Sequence, residues 1–159
     1  MIEKQIKHML ISKQIEWDMG HRVLNHISLC KNLHGHRYKA EIILEGDIVS
    51  KENDSSEGML MDFSDVKKLA LELVCNELDH GFMVWNKDKI LLDFFKKNPY
   101  LKHIIVPFTP TAENISNWIF QKLEPHFQRK FRNKLKLNSI KLWETPTSYA
   151  QTYKKISGE

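Results

Sequence analysis

Apolar and polar positions along this chain repeat at two periods, two and about 3.6 residues, and the period assigns most of the elements. From Tyr38 onward, Tyr38, Ala40, Ile42 and Leu44 sit between Arg37, Lys39, Glu41 and Glu45. That alternation predicts a strand with one buried face, stopping near Gly46-Asp47. Side chains two apart in a strand point the same way, so the same parity carried backward puts His34 and His36 on the buried face. Upstream, Gln5 to Trp17 carries Ile6, Met9, Leu10, Ile11, Ile15 and Trp17 with neither a helical period nor a breaker. It predicts a strand that ends at Asp18-Met19-Gly20, followed by His21-Arg22 and a loop to Cys30.

The polar stretch from Ile48 to Gly58 predicts a loop or a hairpin tip, and Met59 to Phe63 is a short apolar lead into a helix. Ser64 is the expected N-cap, with Asp65 in the first turn. Val66, Leu69, Ala70, Leu73 and Val74 form the apolar stripe, and the helix is expected to end near Leu78 with Gly81 just beyond. After the apolar patch Phe82 to Trp85, Asp88 to Lys97 predicts a short amphipathic helix, and Leu101 to Val106 a brief strand. A second long helix opens at Thr109-Pro110-Thr111 and buries Ile115, Trp118, Ile119, Leu123 and Phe127. Ile140, Leu142 and Glu144 then share one strand face, and after a turn at Pro146-Thr147 the residues Tyr149, Gln151 and Tyr153 alternate in a partner strand. This order predicts an α+β fold, an antiparallel sheet covered on one face by two helices.

A chain of 159 residues, 42% hydrophobic, can bury one core, so residues 1–159 are expected to form one domain. Met1-Ile2-Glu3-Lys4 lacks the apolar run of a signal peptide, and no apolar segment could span a bilayer; a cytoplasmic location without a membrane partner is expected. Two cysteines, Cys30 and Cys75, make no disulfide framework. The net charge of +4 is modest. Much of it lies between Lys122 and Lys141, which is either a solvated helix end or a field for an anionic substrate. No basic motif interleaved with aromatics points to nucleic acid.

His34 and His36 on one strand face need a third ligand to hold zinc, since a catalytic zinc takes three protein ligands and keeps one position open. His21 follows the first strand, and antiparallel pairing with the second would bring it beside the other two; His26 is the alternative. Cys30 would close the site as a fourth ligand, or act as general base or nucleophile as a free thiolate. Cys75 sits in an apolar helical pattern and reads as buried filler. Asp79-His80 is either a carboxylate–imidazole pair for proton transfer or a helix-terminal histidine beside a capping aspartate. Glu144 continues the buried face of Ile140 and Leu142, where an unpaired carboxylate is costly. It is expected to accept two adjacent N–H donors, as guanine-like and pterin rings present, or to pair with a lysine of the basic run.

His21-Arg22, Cys30-x-x-x-His34-Gly35-His36, Gly58-Met59-Leu60-Met61-Asp62-Phe63, Leu78-Asp79-His80, Pro110-Thr111-Ala112-Glu113-Asn114 and Glu144-Thr145 together resemble the 6-pyruvoyltetrahydropterin and 6-carboxytetrahydropterin synthase superfamily, in the family's order. The resemblance implies a T-fold, a four-stranded antiparallel sheet with two long helices on one face. It also implies that sheets of three subunits close into a barrel and that two trimers stack into a hexamer. It implies that His21, His34 and His36 bind zinc, that Cys30, Asp79 and His80 carry proton transfer, and that Glu144 anchors the pterin, with Thr145, Glu113 and Arg22 as substrate contacts. The three-residue gap between Cys30 and His34 resembles the bacterial 6-carboxytetrahydropterin synthases of queuosine biosynthesis. Their implied reaction converts 7,8-dihydroneopterin triphosphate to 6-carboxy-5,6,7,8-tetrahydropterin, acetaldehyde and triphosphate. A pyruvoyl-type synthase, a non-catalytic zinc-stabilised module and a nucleic-acid binder are the alternatives. Asp18-Met19-Gly20 and Gly81-Phe82-Met83-Val84-Trp85 depart from the family's pattern.

Overall fold

The computed structural model of the protein describes residues 8–131 and 135–154. Gln5 and Ile6 of the first expected strand, and Arg132 and Lys134 of the basic run, lie outside the described residues. In chain order the elements are β1 (His8–His21), β2 (His34–Asp47), α1 (Phe63–Ala70), β3 (Gly81–Trp85), α2 (Lys89–Lys97), β4 (His103–Val106), α3 (Ala112–Phe131), β5 (Leu135–Thr145) and β6 (Ser148–Tyr153). α1 runs on through a π-helical turn, Leu71–Cys75, into a last turn, Asn76–Leu78. No helix among the described residues is long and apolar enough to cross a membrane.

The sheet order is β4-β3-β1-β2-β5-β6. β1, β2, β5 and β6 are the four expected strands, each antiparallel to its neighbour. β1 does not stop at Asp18-Met19-Gly20. Each of these residues has a partner in β2, and the pairing runs on to His21↔His34. The apolar patch Phe82–Trp85 is a strand, and β3 and β4 join the sheet in parallel at the β1 end. β3 pairs with β1 only at Met19↔Gly81 and Gly20↔Phe82.

Strand parity sorts the faces. Ile15, Trp17, Met19, Tyr38, Ala40, Ile42, Leu44, Ile140 and Leu142 are buried on one side of the sheet. They pack with Val66, Ala70, Val74 and Leu78 of the first helix and Ile115, Ile119, Leu123 and Phe127 of α3. Each fully buried Val, Leu, Ile, Phe or Met side chain among them stabilises the fold by about 1.5–3 kcal/mol. Leu137 and Ile140 share this face although their numbers differ by three, because a bulge opposite Ile43/Leu44 inserts one residue in β5. Asn138 takes that place and donates to Glu45 Oε2 at 2.9 Å. The bulge sets the parity that turns Glu144 toward the helix-covered side.

The first helix is capped by Asp62, not Ser64. Asp62 has an extended backbone and its Oδ1 accepts from Ser64 N at 2.7 Å, so Ser64 is the residue whose N–H is capped. Several cations of the basic run have local partners. Lys122 pairs with Glu77 and lies 4.6 Å from the Trp118 ring centroid, Lys130 lies 3.8 Å from Asp65, and Lys141 stands 4.0 Å from the Tyr149 ring centroid.

Candidate metal centre and substrate cleft

β1 ends on His21 and β2 begins on His34, and their antiparallel register sets the two side by side, with His36 one step further along the same face. The ring centroids are 4.5 Å apart for His21–His34, 5.3 Å for His21–His36 and 5.1 Å for His34–His36. One ligand nitrogen from each lies within 4.8 Å of the others. Backbone carbonyls orient two of the rings. His21 Nδ1 donates to Pro110 O at 2.6 Å, and His34 Nδ1 donates to Asn32 O at 2.8 Å. Since a carbonyl only accepts, the proton sits on Nδ1 and Nε2 is left with its lone pair. His21 is buried, and its Nε2 makes no hydrogen bond among the described residues. Burial, and then the neighbouring His34, hold the pKa of His36 below the ordinary imidazole range; burial is also the first cause for His21. Both imidazoles are therefore neutral at pH 7, as a metal ligand must be. An orphaned, buried, neutral nitrogen facing two other imidazoles fits a divalent cation such as zinc.

Glu144 stands at the mouth of this cluster. Its Oε1 is 3.5 Å from His21 Nε2 and 4.0 Å from His36 Nε2, and it accepts from the Tyr38 hydroxyl at 3.4 Å. Among the described residues its partners are thus the histidines and a phenol, not a lysine of the basic run. Burial, followed by the Glu144 charge, raises the Tyr38 pKa far above its ordinary value, so Tyr38 stays a hydrogen-bond donor. A cleft of about 420 Å³ opens beside Glu144, lined also by His36, Arg37, Lys39, Trp143 and Thr145. A second, shallower hollow of about 380 Å³ holds Asp18, Gly20, His36, Arg37 and His80. The two share Gly35, His36 and Arg37 and so adjoin.

Asp79 and His80 form the turn between the first helix and β3. His80 Nδ1 lies 3.0 Å from Asp79 Oδ2, and His80 adopts a left-handed backbone with φ 56°. Asp79 Oδ1 accepts from Asp18 N at 3.1 Å, and His80 N donates to Asp18 O at 2.8 Å, so β1 grips the turn from one side. Lys102 grips it from the other, its Nζ donating to Asp79 O at 2.5 Å and Asn76 O at 3.0 Å. The hydrogen bond from Asp18 N is the main cause that lowers the Asp79 pKa.

Cys30 lies on a short 3₁₀ turn, Leu29–Lys31, with its thiol exposed and its carbonyl accepting from Val23 N at 2.8 Å. Among the described residues it joins neither the histidine cluster nor the Asp18–Asp79–His80 group. His26 is likewise outside, in the loop, its Nδ1 accepting from Ser28 N at 3.0 Å. Glu113 is exposed in the first turn of α3. Arg22 faces a different partner from the one the motif implied. Its guanidinium holds Asp88 through two hydrogen bonds of 2.6 and 2.5 Å. Asp88 and the carbonyl of Pro110 are the neighbours that sequence reading missed. Asp88 carried a signal only as a helix start, which it is, accepting from Leu91 N at 3.2 Å.

A family model described as 6-pyruvoyl tetrahydropterin synthase matches residues 10–155. The chain is 34% identical over 143 residues to 6-carboxy-5,6,7,8-tetrahydropterin synthase of Haemophilus influenzae, covering 89% of this chain and 96% of the relative. It is 35% identical over 144 residues to the Rickettsia bellii protein of the same name, with coverage of 88% and 96%. Among solved structures, an uncharacterized protein from Wolinella succinogenes matches with a TM-score of 0.76 at 24% identity, over 93% of this chain and 99% of that one. The 6-pyruvoyl tetrahydropterin synthase of Plasmodium falciparum matches with a TM-score of 0.70 at 18% identity, over 95% and 100%. The fold is therefore the T-fold, and with a family match over nearly its whole length the chain belongs to the 6-pyruvoyl tetrahydropterin synthase family of pterin synthases.

Proposed function

We propose that this chain, acting as one domain, is a zinc-dependent 6-carboxytetrahydropterin synthase. It converts 7,8-dihydroneopterin triphosphate and water to 6-carboxy-5,6,7,8-tetrahydropterin, acetaldehyde and triphosphate for 7-deazapurine (queuosine) biosynthesis in the cytoplasm. The observation that carries the reading is the cluster of His21, His34 and His36 with the Glu144 carboxylate at its mouth. A zinc ion held by the three histidines would supply Lewis acidity at the substrate's side-chain hydroxyls.

The chain's own groups do the rest. Glu144 accepts the paired N–H donors of the pterin edge, and the Tyr38 hydroxyl holds its Oε1. Thr145 lines the same cleft. Cys30 takes a side-chain proton, and the Asp79/His80 pair passes protons as the ring tautomerises and triphosphate leaves. Because Cys30 and the pair lie apart within one chain, the complete site forms between copies. Two free sheet edges support that reading: β6 ends the sheet, and β3 covers β1 only at Met19 and Gly20. Joining β6 of one copy to β1 of the next closes three sheets into a barrel, and two such trimers make a hexamer. Arg22, already committed to Asp88, is left out of the substrate contacts in this reading, and exposed Glu113 is at most a contact in the assembled site.

The test is release of acetaldehyde, followed by NADH oxidation with coupled alcohol dehydrogenase. Zinc-loaded protein should oxidise NADH in proportion to substrate, and chelated protein should not. Triphosphate release without acetaldehyde would mean a pyruvoyl-type synthase instead.

A further inference from the structure

The end of β1 that carries His21 is held at three consecutive residues, and all three holds come from one stretch of chain, residues 81–110. Gly20 is pressed against Phe82 of β3: a Cβ on Gly20 would stand 2.5 Å from Phe82 Cδ2. His21 is oriented by the carbonyl of Pro110 at 2.6 Å. Arg22 is clamped by Asp88 through two hydrogen bonds of 2.6 and 2.5 Å. This stretch has a small apolar core of its own, Val84, Leu91 and Phe95 with Phe82 and Leu92 packed against them. It therefore meets β1 as a packed unit and not as a loose loop.

Asp88 is the buried anchor of the arrangement, with 2% of its side chain exposed and 14% of that of Arg22. A carboxylate so placed is held ionised by its partners, here Arg22 and the N–H groups of Leu91 and Ile90. The pair joins the N-terminus of α2 to the residue immediately after the first histidine. The β1–β2 ladder sets His21 beside His34 on one side, while on the other side β1 has only two residues paired with β3, so there the holds from residues 81–110 fix the strand end.

We propose that Asp88, acting through Arg22, is a positioning residue for the metal site, and that β3, α2 and β4 form a buttress that fixes His21 in its ligating place. The inference rests on the reading of His21, His34 and His36 as metal ligands. Partners one shell out from a metal ligand commonly alter metal affinity tenfold to a hundredfold. Asp88 acts one step further out, through Arg22, which places its effect near the lower figure.

The experiment is competition for Zn²⁺ between a chromophoric chelator and the full-length protein, run beside thermal melts of the metal-free forms. Asp88→Asn keeps an acceptor for Leu91 N but loses the charge, and its zinc affinity should fall roughly tenfold. The double variant Arg22→Met/Asp88→Leu removes both charges, so no buried ion is left unpaired. Its metal-free melting temperature should return toward that of the wild type while its zinc affinity stays low. If Asp88→Asn binds zinc within twofold of the wild type, the positioning role is wrong. If the double variant regains affinity along with stability, the pair is only structural and the inference also fails. Should Asp88→Asn not fold, the double variant decides alone. A wild-type protein that takes no zinc from the chelator overturns the metal reading itself, a result distinct from both.

Discussion

Gly35 separates the two strand histidines and lies directly across from Gly20 in the β1–β2 pairing. In the substitution Gly35→Ala, the new Cβ would stand 3.0 Å from Met19 O, 3.4 Å from Gly20 Cα and 3.5 Å from Met19 C. All three atoms are backbone, so no side chain can swing away and β1 itself must retreat by a few tenths of an ångström. The retreat occurs two residues from His21, on the strand that presents it to His34 and His36. Ligand distances in a metal site tolerate about 0.2 Å, so a displacement of that size reaches the cluster. Inserting a methyl group into a tight contact costs about 1–3 kcal/mol; with only one short contact, about 1 kcal/mol is the appropriate figure. That corresponds to a melting temperature roughly 2–4 °C lower for a chain of this size. The assay is a thermal melt of the metal-free protein together with zinc competition against a chelator. Gly35→Ala should show both the modest loss of stability and a weakened zinc affinity. An unchanged affinity in Gly35→Ala would refute the claim that glycine is needed there to bring the strands close at the metal site.

Other expectations follow from the same geometry. Burial depresses the pKa of His21 and His36, so the unfolded chain takes up protons near its ordinary value, about pH 6.5, before the folded one does. Stability of the metal-free protein is therefore full above that pH and falls as the pH drops through it, and melting curves that are flat between about pH 7.5 and 5.5 would contradict this. Glu144→Gln should keep zinc while weakening pterin binding by about 1.5–3 kcal/mol, read by titration with a non-reactive pterin. Equal affinity would remove the anchor role. Cys30→Ala should retain both zinc and fold and lose turnover by on the order of 10²–10⁴-fold, and loss of zinc on this substitution would make Cys30 a ligand.

Much of the site was legible because strand parity is a local rule. His34, His36 and Tyr38 fall on one face by period alone, and Glu144 follows Ile140 and Leu142 in the same way. His21 required one further step, the antiparallel pairing, and the register provides it. What the sequence did not reveal rests on groups without a local signature. The Pro110 carbonyl that orients His21 is a backbone atom 89 residues away, and any residue there carries one. Arg22 meets Asp88 across 66 residues, and nothing near Arg22 distinguishes an internal partner from a phosphate. The cap at Asp62 was missed by two positions because Asp and Ser are both good caps and only the backbone angle separates them. β4 was legible as a brief strand over 101–106, but β3 was obscured by its five-residue length and a burial pattern without clean alternation, and the parallel pairing of the two has no local signal. The two segments that depart from the family's pattern, Asp18-Met19-Gly20 and Gly81 to Trp85, meet where Gly20 leaves room for the Phe82 ring.

In the proposed function the three histidines, Glu144 and the proton carriers serve one reaction that cuts a carbon–carbon bond. The most direct measurement is incubation of the zinc-loaded protein with 7,8-dihydroneopterin triphosphate and identification of every product by mass. The expected products are 6-carboxy-5,6,7,8-tetrahydropterin and acetaldehyde in equal amounts with triphosphate. Unchanged substrate, or a pyruvoyl pterin that retains all the side-chain carbons, would contradict it.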